Sequence, residues 1–233
     1  MLLSALIIGF AFLTEATLGF GGGLIAVPLL ALTMDIKSAV TLVLIFQFCM
    51  GFLLPDSYKF VPHRIKFTMT AGLLLGTLLG MYSLFALDDH ILRILLSITI
   101  VLFLAKDMIS KTHITETAWT SALVGFFGSW LQGLIGTGGP VFTMYLSAIR
   151  IEKKSFRATL IYLFFVTSIL RVIVSFSGGL FIPDVLYRAL FAAPFYAVAL
   201  ILGRLLFHRV NEILYRRAVS LVLLGSCVAL LLR

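Results

Sequence analysis

Four stretches of this chain contain no Asp, Glu, Lys or Arg: 16–34, 38–55, 67–87 and 117–149. No other feature narrows the fold as much. A helix needs about 20 apolar residues to cross a hydrocarbon core about 30 Å thick. The first three stretches have that length, and the fourth is too long for one helix, so it must fold back or cross twice. A separate soluble domain has no room, because 61% of the 233 residues are hydrophobic and only 12% charged. A soluble domain is charged at about a quarter of its positions. A β-barrel would show alternating segments of about ten residues, and none occur. The fold class expected is an all-α polytopic membrane protein, with 1–233 forming one transmembrane domain.

Ten apolar segments can be read, at about 2–16, 20–34, 37–55, 67–86, 91–106, 117–132, 137–149, 157–176, 186–203 and 214–232. The opening "MLLSALIIGFAFLTEA" has no basic leader and no small-residue cleavage site, so it reads as the first membrane segment. Cys49 and Cys227 lie within apolar runs and imply no disulfide framework. His63, His90, His113 and His208 stand singly, without metal-ligand spacing. No metal and no cofactor is expected.

Segments two and seven are short, at about 20 Å of helix each, and both follow a glycine cluster. Sliding the chain by 116 residues lays "FGGGLIAVPLLALTMDIK" on "GTGGPVFTMYLSAIRIEK", matching Gly22 and Gly23 with Gly138 and Gly139. Further on, "DDHILRILLSITIVLFL" resembles "VNEILYRRAVSLVLLGS". Five segments therefore recur as five, repeat one at about 1–110 and repeat two at about 115–233. An odd number of crossings per copy turns the second copy upside down. The charges give a separate test. Loops 56–66, 106–116, 150–157 and 204–217 hold thirteen Lys and Arg, while the opposite side holds four, namely Lys37, Arg93, Arg188 and Arg233. By the positive-inside rule, the first set is cytoplasmic and both termini lie on the periplasmic side. The net charge of +8 is thus mostly a topological signal. Its dispersal over short loops speaks against nucleic-acid binding.

Glycine costs a helix about 1 kcal/mol per interior position, yet "GFGGGLIAVPLL" puts four into five positions inside an apolar run. A glycine turn just before a helix leaves backbone N–H groups free, and with the helix dipole these make an anion seat without a charged side chain. Inverted-repeat transporters place such broken helices at the bilayer midplane. Gly19, Gly21, Gly22 and Gly23 precede segment two; Gly136, Thr137, Gly138 and Gly139 precede segment seven. The two turns are expected to meet around a small anionic substrate, with the Thr137 hydroxyl as an added donor. Close helix packing is the competing reading, and it suits Gly72, Gly76 and Gly80 in "GLLLGTLLG" better than the two clusters.

The pair "GFGGGLIAVPLL" and "GLIGTGGPVFTMYL" resembles the duplicated signature of the sulfite exporter TauE/SafE family, also called the toluene sulfonate uptake permease family. The likeness covers the whole chain and includes Pro28. It implies transport of sulfite, sulfonates and related sulfur oxyanions across the bacterial inner membrane. Pro140, directly after the second cluster, suits the first turn of a helix, where its missing N–H is harmless.

Few polar residues lie inside the spans. Glu15 is either a deep acid that carries a coupling proton or an interfacial residue, depending on how deep the turn lies. Beside an anion, its neutral form fits better than a carboxylate. Arg171 either neutralises the substrate or Glu15, or snorkels to the nearby helix end. Gln47 and Gln132 either line the site or bond helix to helix. The partners expected are the lipid bilayer, a small anion and a coupling proton or cation; oligomeric state is left open. There is no catalytic triad, carboxylate pair or nucleotide loop, so an enzyme is the least favoured reading. A secondary carrier leads. A passive anion channel, or an accessory protein whose glycines only pack, are the alternatives.

Overall fold

The computed structural model describes residues 1–106 and 115–206. Among these residues the chain folds as nine α-helices without a strand. They are α1 (Leu2–Leu18), α2 (Gly22–Leu30), α3 (Ile36–Leu53), α4 (His63–Ala86) and α5 (Asp89–Lys106), then α6 (Ala118–Ile135), α7 (Gly139–Ala148), α8 (Lys153–Ser177) and α9 (Pro183–Leu206). Helices α3, α4, α8 and α9 are long and apolar enough to cross a bilayer. This is a polytopic helical membrane protein. The tenth apolar segment, 214–232, lies outside the described residues.

The helices follow the apolar segments, with physical reasons for each departure. Helix α4 starts at His63 and α8 at Lys153, ahead of the apolar stretches. Lys and Arg are good helix formers: a charge takes a residue out of hydrocarbon without ending its helix. A 3-10 turn at Pro55–Phe60 was not anticipated. Helix α3 is capped by Asp35, whose side chain accepts the Ser38 N–H at 2.8 Å. Helix α6 is capped by Thr117, with Thr120 bonding back in a capping box.

Helices α2 and α7 have 9 and 10 residues, or about 14 and 15 Å. That is less than the sequence suggested and only half of a hydrocarbon core. The far end of α2 is pinned to α5. Arg93 donates to the Ala31 carbonyl at 2.8 Å and pairs with Asp89 at 2.6 Å, and Asp89 in turn accepts the Ile36 N–H at 2.6 Å.

Three helix pairs dominate the packing: α4 with α6, α1 with α9, and α3 with α8. The first is a glycine seam. A Cβ on Gly72, Gly76 or Gly80 would fall 2.0, 2.1 and 2.3 Å from the carbonyl oxygens of Ala122, Phe126 and Trp130. The two backbones therefore touch, as the four-residue spacing of small residues predicts. The α1–α9 pair is tight at one end, where a Cβ on Gly203 would lie 2.5 Å from the Ala16 Cβ, and looser at the other. Gly9 meets Phe195 at an ordinary 3.4 Å, and Leu6, Phe10, Leu13 and Pro194 border an apolar groove of about 570 Å³.

The helix ends show a second spacing beside the 116-residue glycine match, which the helix starts Leu2 and Ala118 keep. The left-handed caps Gly19 and Gly136, the helix starts Gly22 and Gly139, and the starts Ile36 and Lys153 all stand 117 apart. In that register Glu15 corresponds to Gln132.

Candidate functional site

Both short helices are reached through a reversal at a left-handed glycine. Gly19, with φ 89°, ends α1 and donates its N–H to the Glu15 carbonyl; Gly136, with φ 70°, ends α6 and donates to the Gln132 carbonyl. Such a conformation is costly for any residue with a Cβ. Gly21 adds a second reversal at φ 113°. The two turns meet: a Cβ on Gly23 would lie 1.9 Å from the Gly136 carbonyl oxygen.

Where they meet, polar side chains from four helices converge. Gln47 of α3 is the hub, its Oε1 accepting from Gln132 Nε2 at 2.9 Å and from Arg171 Nη1 at 3.2 Å. Gln132 Oε1 accepts the Gly138 N–H at 2.7 Å. The Glu15 carboxyl group faces the Gly22 N–H, the Gln47 side chain and Arg171. It presses on the first turn so closely that a Cβ on Gly22 would sit 1.7 Å from its Oε2. Glu15, Gln47, Gln132, Thr137 and Arg171 are between 0% and 3% exposed. Val27 and Val40 flank Gly136, so the cluster has apolar walls in which charge interactions are strong.

These positions settle several open readings. Arg171 is fully buried and does not snorkel; its helix end is near, but its side chain turns inward to Gln47. Glu15 is buried inside the bundle, at 1% exposed. Gln47 and Gln132 do bond helix to helix, and they do so inside the cluster. The expectation of free N–H groups needs correcting. The Gly138 N–H is taken by Gln132 and the Gly22 N–H is faced by Glu15, because buried backbone donors find partners.

The glycines also differ from one another. Gly19 lies against Arg157, Gly21 against Thr14, and Gly138 against the Gly128 carbonyl, whereas Gly22 and Gly23 face the cluster. Gly139 would meet only ordinary contacts, at 3.6 Å and beyond. Gln47 was legible only as a polar residue in an apolar run, and nothing local marked it as the hub.

Four atoms in the cluster are buried without a hydrogen-bond partner: Glu15 Oε2, Thr137 Oγ1, Arg171 Nε and Arg171 Nη2. Most buried polar atoms in proteins are satisfied, so four orphans in this region make it the candidate ligand site. Nε and Nη2 form one edge of the guanidinium plane, the fork that grips an oxyanion through two parallel hydrogen bonds.

Comparison with known families decides what kind of protein carries this cluster. The family model for sulfite exporter TauE/SafE matches residues 3–230, almost the entire chain. The chain belongs to the sulfite exporter TauE/SafE family. No curated protein and no solved structure matches it. TauE/SafE proteins are membrane transporters, and the buried cluster is the strongest candidate for the place where this one holds its cargo.

Proposed function

We propose that this TauE/SafE protein is a secondary carrier for a small oxyanion, a sulfur oxyanion or organosulfonate, in the bacterial inner membrane. One observation carries the reading: Arg171 presents an unengaged two-donor edge inside a closed cluster where two short helices begin. The cargo's oxygens would take that edge and the Thr137 hydroxyl, with the starts of α2 and α7 adding their positive ends. Gly22, Gly23 and Gly136 let the backbone come close. Gln132 fixes the second turn.

Occlusion favours a carrier over a channel, since a channel needs a continuous wet path and every polar member of the cluster is at most 3% exposed. Alternating access around one central site is the corresponding mechanism. A five-helix repeat is supported by the packing: adding five to each label turns α1 into α6 and α4 into α9, so the α1–α9 pair maps onto α6–α4; its inversion is argued from the loop charges. Basic loops on the cytoplasmic side, with both termini periplasmic, complete the topology proposed.

Counterflow in proteoliposomes tests the reading. Uptake of labelled sulfite, thiosulfate or sulfoacetate should be stimulated by the same anion on the trans side. Uptake indifferent to trans anion would point to a channel. No uptake of any of the three would remove the substrate class.

A further inference from the structure

In the register set by the helix ends, Glu15 and Gln132 are the same position in two copies. Each lends its carbonyl to a left-handed glycine cap, Gly19 or Gly136. Each then turns its side chain to the start of the short helix that follows. Gln132 accepts the Gly138 N–H at 2.7 Å, and the Glu15 carboxyl group faces the Gly22 N–H. Both also address Gln47. The two side chains are nearly the same shape, but one is an amide with a single charge state and the other an acid with two.

We propose that Glu15 and Gln132 are matched internal caps that hold the two short-helix starts, and that Glu15 alone yields, taking up a proton as the anion loads. This rests on the carrier reading. An ionised Glu15 is itself an anion on the α2 start, close to Arg171, and it repels a second one. A proton from the aqueous phase on Oε2, the carboxyl oxygen without a partner, removes that repulsion and leaves Arg171 to the cargo. One O–H bond forms on loading and breaks on release, so one proton travels with each anion. The cap at Gln132 never changes charge and keeps the second turn in place. The titratable groups facing Glu15 are Arg171 from α8 and Tyr196 from α9, and Cys49 of α3 faces Tyr196 in turn. Helix α2 contributes only its N–H group and α3 the neutral Gln47.

The test uses proteoliposomes and sulfoacetate, whose charge is constant between about pH 6 and pH 8, with a trapped pH dye beside the labelled anion. Wild-type protein should move one proton with each sulfoacetate. Its affinity for the anion should fall about tenfold per pH unit once Glu15 ionises. E15Q, which copies Gln132, should exchange sulfoacetate with no pH dependence and carry no proton. Q132E should steepen the pH dependence beyond wild type. A wild-type proton-to-anion ratio of zero overturns the proposal without any variant, and so does E15Q protein that still carries protons. Folded E15Q without exchange would make Glu15 a cargo ligand instead, which also overturns it. Wild-type protein without counterflow takes down the carrier reading itself, a result distinct from the others.

Discussion

In the first turn, two glycines reverse the chain, Gly19 at φ 89° and Gly21 at φ 113°, and an acid leans on the helix start that follows. In the second turn one glycine does so, Gly136 at φ 70°; an amide holds the helix start and Pro140 stiffens its first residues. The second turn is locked by neutral hydrogen bonding. The first is crowded around a group whose charge can change. On the repeat proposed above, the two turns would be a fixed support and an adjustable one, with Arg171 between them. A site that must both hold and release an anion gains from that division, since only one wall has to move.

The largest expected effect comes from the residue that serves both turns. R171A removes the free guanidinium edge and should weaken anion binding on the order of a hundredfold, read by titration of the purified protein with sulfoacetate. R171K keeps the charge but not the two-donor edge and should recover only part of the loss.

The contact between the turns comes next. G23A drives a methyl group into the Gly136 carbonyl, backbone against backbone, and should cost about 1–3 kcal/mol of stability. Thermal unfolding in detergent would reveal it. T137A separates binding from folding. The hydroxyl has no partner to lose, so melting should hold while anion affinity drops about tenfold, the worth of one hydrogen bond to a charged group.

The smallest effect sharpens the comparison most, because Gly22 and Gly139 each begin a short helix. G139A meets open, ordinary contacts and should shift stability by no more than about 0.5 kcal/mol. G22A meets the Glu15 carboxyl group, which must swing away. Its signature should be an altered pH dependence of transport rather than a large loss of stability. Equal behaviour of the two variants would mean that the turns are not divided as described.

Much of this was legible in the residues. The apolar segments located α1 to α9, and the glycine clusters foretold two short helices reached through turns that meet, because few other functions of a backbone tolerate so much glycine in hydrocarbon. The Gly72–Gly80 seam could be read from spacing alone. Other parts were hidden for definite reasons. The likeness of Glu15 and Gln132 was hidden because aligning the glycines at 116 residues sets Glu15 against Leu131, and their shared place before a left-handed glycine cap shows only in the backbone. Gln47 lies in a different segment from either turn, so its role depends on tertiary packing. Arg171 was ambiguous because distance to a helix end says nothing about which way a long side chain turns.

The seams cross the sequence in a way that limits how the molecule can move. The α4–α6 seam joins the N-terminal half to the C-terminal half through bare backbone, the α1–α9 seam joins them again where Gly203 lies tight against Ala16, and α3–α8 joins them a third time. Swinging one half away from the other would tear all three. On the repeat and carrier readings proposed above, each seam carries one helix from either half, so the bodies that move against each other would not be the two repeats themselves.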